Sequence, residues 1–160
     1  SLYSNVAHAG NRSAIGVYQN ASPWAVQELD RALEYGLITD KIRAEMNAPI
    51  TREEFCEVIM ALVENMAGKV VVNDKGIFTD TNNPQVYKAN KLGIVNGVGN
   101  NRFDPQALTN REQVAVMIYR AIKAMLPYAD FSTDGADSFS DEKDISEWAY
   151  EAVMFMNKND

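Results

Sequence analysis

Two arginines stand where a cation is electrostatically out of place. Arg52 follows Thr51 and Arg111 follows Asn110, each at the first position of a helix that the following residues spell out. A helix N-terminus carries partial positive charge, so an arginine there costs roughly 0.3–1 kcal/mol. At Arg111, free backbone N–H groups and a guanidinium fork converging on one point suit a bound anion. An ion pair with a neighbouring carboxylate is the structural alternative. Trp24 has two readings as well, as a core filler or as a binding residue that stacks on a sugar ring. Catalytic groups are sparse: the one cysteine, Cys56, and the one histidine, His8, assemble no nucleophile–base pair with the scattered acids. A single cysteine also excludes an internal disulfide and a cysteine-based zinc site, and Cys56 beside an apolar stripe reads as buried. Asp130, Asp134, Asp137, Asp141 and Asp144 lack the order and terminal glutamate of a calcium loop. No metal, cofactor or catalytic residue is expected.

The elements that position the arginines repeat. Asn110 is an N-cap with Gln113 at the third helical position, and Val114, Met117, Ile118, Ala121, Ile122 and Met125 form one stripe at helical spacing. Fifty-nine residues earlier, Thr51 and Glu54 make a capping box, followed by Phe55, Val58, Ile59, Leu62, Val63 and Met66 at the same spacing. Ahead of Asn110 lies a turn built from Gly93, Gly97, Gly99, Asn100 and Asn101, residues that tolerate positive φ. Phe103 is its one large apolar side chain, expected to pin the loop to the core. Shorter helices precede each copy: Ser22-Pro23-Trp24-Ala25 recurs 124 residues on as Ser146-Glu147-Trp148-Ala149, with Asn83-Pro84 as a weaker middle copy. Phe78-Thr79-Asp80 and Phe139-Ser140-Asp141 open the second and third copies. A period near 60 marks an array.

The string of Phe-x-Asp, Trp-Ala, Gly-Ile (Gly93-Ile94), a glycine-rich loop with Phe-x-Pro, and a Thr-Arg-(Ala/Glu)-Glu helix start resembles the S-layer homology module, over about residues 21–160. The resemblance implies an all-α fold, a pseudo-threefold bundle of three modules with grooves between them that bind sugar. It implies a non-catalytic anchor holding a secreted or S-layer protein on the secondary cell-wall polysaccharide of a bacterium, through an acidic, pyruvylated sugar. Asp80 either caps a turn or, as the same resemblance implies, faces a ligand hydroxyl. The expected ligand-binding set is then Arg111, Arg52, Trp24, Trp148, Asp80, Asp141, Gly97, Gly99, Asn110 and Thr51, with Arg111 beside the Asn96–Arg102 loop and ranked ahead of Arg52. The first copy departs from the pattern: Ile38 to Pro49 holds neither glycine nor phenylalanine, so its site is altered or lost. A module of the same fold that binds a protein and no sugar is the alternative.

At 160 residues the chain suits one core. A formal charge of −7 argues against nucleic acid and an anionic membrane surface as partners, and no apolar run approaches the roughly 18 residues of a membrane span. The expected division is a leader at 1–20, a first module at 21–67, a second at 76–127, an acidic linker at 128–138 and the first half of a third module at 139–160. That half-module leaves Trp148, Val153 and Met156 without the helix that would share their cover, from which a homo-oligomer formed through it is expected.

Overall fold

The computed structural model describes residues 18–73 and 76–159. The expected leader and His8 lie outside them, except that Tyr18 is buried and donates to Asp30 at 2.9 Å. The described residues form six α-helices and no strand, only isolated bridges at Thr51–Leu108 and Gly99–Arg102. These helices are α1 Val26–Glu34, α2 Asp40–Arg43, α3 Arg52–Ala67, α4 Pro84–Lys91, α5 Arg111–Met125 and α6 Tyr150–Lys158. Short 3-10 turns at Pro23–Ala25 and Glu147–Ala149 lead into α1 and α6. The fold is all-α.

The starts of the two long helices follow from their local chemistry. The Thr51 hydroxyl accepts from the Glu54 N–H at 3.2 Å while the Glu54 carboxylate accepts from the Thr51 N–H at 2.9 Å. Asn110 and Gln113 do the same for α5, at 2.9 and 3.2 Å. Each box satisfies two N–H groups that a helix start leaves without partners. The α4 start pairs Pro84 at its first position with Asn83, whose side chain accepts from the Gln85 N–H at 2.9 Å.

Helix α3 packs on α4 and α5, and α5 packs on α6. The first helix of the second and third copies therefore lies against the long helix of the copy before it. Packing of α1, α4 and α6 on one another, as a pseudo-threefold bundle would have it, is not among the main helix contacts of the described residues. The long helices, with 16 and 15 residues, offer enough surface to cover two neighbours each, whereas α4 has eight residues.

Double coverage changes which residues are inside. On α3 the buried face is Cys56, Ile59, Met60 and Val63, rotated from the expected stripe, and Met66 is left 65% exposed. On α5, Met117 and Ala121 join the core shared with α3, while Val116 and Tyr119 belong to a second core with Ala149, Ala152 and Phe155. The segment 128–138 is acidic, but its Phe131 packs on Tyr119 and Phe155 with ring centroids 5.6 and 5.3 Å apart. An ion pair fastens α4: Glu64 accepts from Lys88 at 2.6 Å and from the Val70 N–H at 3.0 Å. Burial pushes the Glu64 carboxyl up, but these partners outweigh it and leave the group below its ordinary range.

Candidate functional site

The loop between α4 and α5 is held from three sides. Its turn closes through Val98 N–H to Arg102 O at 2.8 Å and Arg102 N–H to Gly99 O at 2.9 Å, with Gly99 at φ 103° and Asn100 and Asn101 at φ 51° and 56°. Gly97 is needed for a different reason: a Cβ there would stand 2.7 Å from both Arg102 O and the Phe78 ring. Phe103 is fully buried, 5.4 Å from the Phe78 ring. Complete burial of such a side chain is worth about 1.5–3 kcal/mol, which makes it the loop's main anchor. Asp80 supplies the second hold. Its two carboxylate oxygens accept from the Phe103 N–H at 2.8 Å and the Asp104 N–H at 2.9 Å, with Arg102 at 3.5 Å. The Phe103 N–H, then the Asp104 N–H and the Arg102 charge, keep its carboxyl below the ordinary range against some opposing desolvation. Asp80 thus caps the loop, and its oxygens are taken up by backbone.

Arg52 is the third hold. Its Nε donates to Phe103 O at 3.1 Å, its Nη2 donates to Asn96 O at 3.0 Å, and the guanidinium lies 4.7 Å from the Phe103 ring centroid. The N–H groups at the start of α3 are also engaged, since Arg52 N–H donates to Ala107 O at 2.9 Å and Glu53 N–H to Pro105 O at 3.1 Å. These loop carbonyls explain how a cation is tolerated at the first position of α3: they satisfy the helix start and accept from the cation together. The arginine that reaches the Asn96–Arg102 loop is accordingly Arg52. Arg111 is exposed and has no side-chain hydrogen bond or ion pair among the described residues. Glu112 next to it accepts from the Ser146 N–H and hydroxyl at 2.8 and 2.9 Å, tying α5 to the third copy.

Between this loop, α3 and α5 lies a groove of about 260 Å³. Val95, Val116 and Met117 line its apolar part, and Arg52, Arg120 and Trp148 are its charged and aromatic members. Trp148 is 57% exposed. Of the residues singled out from sequence, Arg52, Gly97 and Trp148 meet here. Thr51 and Asn110 serve as helix caps, Gly99 sits in the turn, and Asp141 is exposed ahead of a 3-10 turn, where its carbonyl accepts from Asp144 N–H at 2.8 Å. Trp24, 83% exposed, fills no core. Sequence reasoning missed Arg120 and Gln113, which also lines the groove. The available signal was a difference between copies, because Ala61 stands 59 residues before Arg120. A larger depression of about 560 Å³ lies at the start of the third copy, near Phe139, Lys143 and Tyr150, but Tyr150 there already donates to Glu142 at 2.6 Å.

The loop, the Phe78–Asp80 strut and the first turn of α5 fall together in one comparison: residues 78–115 match the model of the S-layer homology domain. The chain carries an S-layer homology domain. Such domains are cell-surface anchors that bind cell-wall polysaccharide and are not catalytic. No helix among the described residues is long and apolar enough to cross a membrane. Over 114 residues, 68% of its length, the chain is 32% identical to an amylopullulanase of Thermoanaerobacterium thermosulfurigenes. It is equally similar, over the same share, to the exoglucanase XynX of Acetivibrio thermocellus. The chain spans 6% and 10% of the lengths of these two relatives.

Proposed function

We propose that this chain holds its parent protein on the bacterial cell wall by binding an acidic, pyruvylated secondary cell-wall polysaccharide in the groove between α3, the α4–α5 loop and α5. The observation that carries this reading is the convergence of an exposed indole, two guanidinium groups and a glycine-walled loop on one groove of about 260 Å³. A pyranose ring presents an apolar face to an indole, and a carboxylate matches a guanidinium fork. The domain match and the repeat together support a division into modules at 21–67, 76–127 and 139–160, with the groove between the first two and Trp148 contributed by the third. The equivalent surface of the first copy is less suited to a sugar. Glu57, the counterpart of Val116, pairs there with Lys41 of α2 at 2.7 Å and accepts from Asn83 at 2.8 Å.

Sedimentation with purified cell walls tests the reading. The chain should pellet with native walls and stay in the supernatant once the secondary polysaccharide has been extracted. Pelleting with extracted walls, uncompeted by free polysaccharide, would point instead to a protein partner on the same fold.

A further inference from the structure

We propose that Arg120 is the residue that reads the ligand's carboxylate, and that Arg52, the arginine of the repeated motif, is a positioning residue for the loop. This rests on the polysaccharide reading of the groove and narrows it to one ligand chemistry, a pyranose bearing an anionic carboxyl substituent. The first ground is what Arg52 is already doing. A guanidinium recognises a carboxylate best through two parallel donors on one edge. The Nε–Nη2 edge of Arg52 is taken by Phe103 O and Asn96 O, and its face is against the Phe103 ring.

Arg120 is in the opposite condition. It is half-buried on α5, lines the groove, and its side chain has no hydrogen bond or ion pair among the described residues. In a chain with 22 carboxylates against 15 Lys and Arg, an arginine left unpaired beside a groove has its whole fork free for a ligand. Lys123, one turn along the same helix, shows the contrasting arrangement, lying 3.6 Å from Glu151 and over the Tyr119 ring. Trp148 shares the groove with Arg120, which supplies a stacking face and a cation in one site. The comparison between copies agrees. At the corresponding places on the α3 side stand Ala61 for Arg120, Glu57 for Val116, and Gln85 where the tryptophan would be. These places hold no indole and no unpaired arginine, and Lys41 there is held by Glu57 at 2.7 Å.

The experiment is calorimetric titration of the 160-residue chain with secondary cell-wall polysaccharide, native and after mild acid removal of its pyruvate ketals. Arg120→Ala should weaken binding to the native polymer about ten- to a hundredfold, the effect of one charge-assisted hydrogen bond. Removing the ketals should weaken the unmodified protein by a similar factor and Arg120→Ala by little more. Arg120→Lys should recover only part, since it keeps the charge and loses the fork. Arg120→Gln, which keeps the bulk, should behave as the alanine variant, and both should melt as the unmodified protein does. Arg52→Ala should lower the melting temperature while what binding remains stays sensitive to ketal removal. Unchanged affinity in Arg120→Ala, or ketal sensitivity lost in Arg52→Ala and kept in Arg120→Ala, overturns the assignment. No binding of the native polymer by the unmodified chain overturns the anchoring reading itself, and this inference with it.

Discussion

Replacing Arg52 by alanine removes three interactions that join the first copy to the second, and their sizes can be set from their surroundings. The hydrogen bond to Phe103 O is part-buried and the one to Asn96 O is exposed, at 3.1 and 3.0 Å. Water can replace the second donor at the groove, so it contributes near the low end of the usual range, about 0.5 kcal/mol, and the first about 1–1.5 kcal/mol. The cation over the Phe103 ring adds about 0.5–1 kcal/mol. Their sum is about 2–3 kcal/mol, an upper figure because contacts that share a partner do not add strictly. In a chain of this size each kcal/mol moves the melting temperature by about 2–4 °C, which gives a fall of about 4–12 °C by circular dichroism or calorimetry. Arg52→Lys should recover under half of it, because one ammonium cannot span both carbonyls. A fall below about 2 °C for Arg52→Ala would show that the loop is held without this bridge, and the assignment of Arg52 to positioning would be wrong.

Gly97→Ala should cost about 1–3 kcal/mol, measured by urea unfolding, because its Cβ meets Arg102 O and the Phe78 ring at 2.7 Å and neither can retreat without disturbing the loop; an unchanged midpoint would mean the loop is softer than its hydrogen bonds imply. The acid limb of stability should carry a contribution from Asp80. Its folded carboxyl titrates below the unfolded one, so the stabilisation is fully present above the ordinary carboxylate range near about 4 and is lost as pH falls through the folded value. Asp80→Asn should therefore be less stable at neutral pH and have a shallower acid slope, and an identical slope would refute the role. Burial pushes the Cys56 thiol up to about 12, so a thiol reagent at pH 8 should leave the folded chain unlabelled and label one group after denaturation. Rapid labelling of the native chain would contradict the packing of α3.

What could be read from the sequence was set by how local each feature is. The capping boxes at Thr51 and Asn110 need only residues three apart, and both appear as expected. Phe103 was legible because it is one large apolar side chain in a polar loop. The buried face of α3 was legible only in part: Cys56 is buried as read, but Met60 is inside and Met66 outside because α3 serves α4 and α5 at once, which a single-stripe reading cannot foresee. Phe131 was hidden in a segment whose acidic composition reads as a linker. Arg52 and Arg111 hold the same place in the repeat, each behind an N-cap, and have different surroundings, since only tertiary packing decides which loop an arginine meets. Trp24 and Trp148 show the same limit, being equivalent in the repeat while only Trp148 lines the groove. Arg120 fell on no motif and was visible only as a charge that one copy has and the other lacks.

Chemical-shift mapping tests the groove most directly. A ¹⁵N-labelled chain is titrated with a soluble fragment of pyruvylated cell-wall polysaccharide while backbone amides and tryptophan indoles are followed. The perturbed signals should cluster at Asn96–Val98, Gln113, Arg120 and the Trp148 indole, with Trp24 and the Phe139–Tyr150 depression unmoved. Shifts centred on that depression or on Arg111, with Arg120 and Trp148 silent, would contradict the placement of the ligand between α3, the loop and α5.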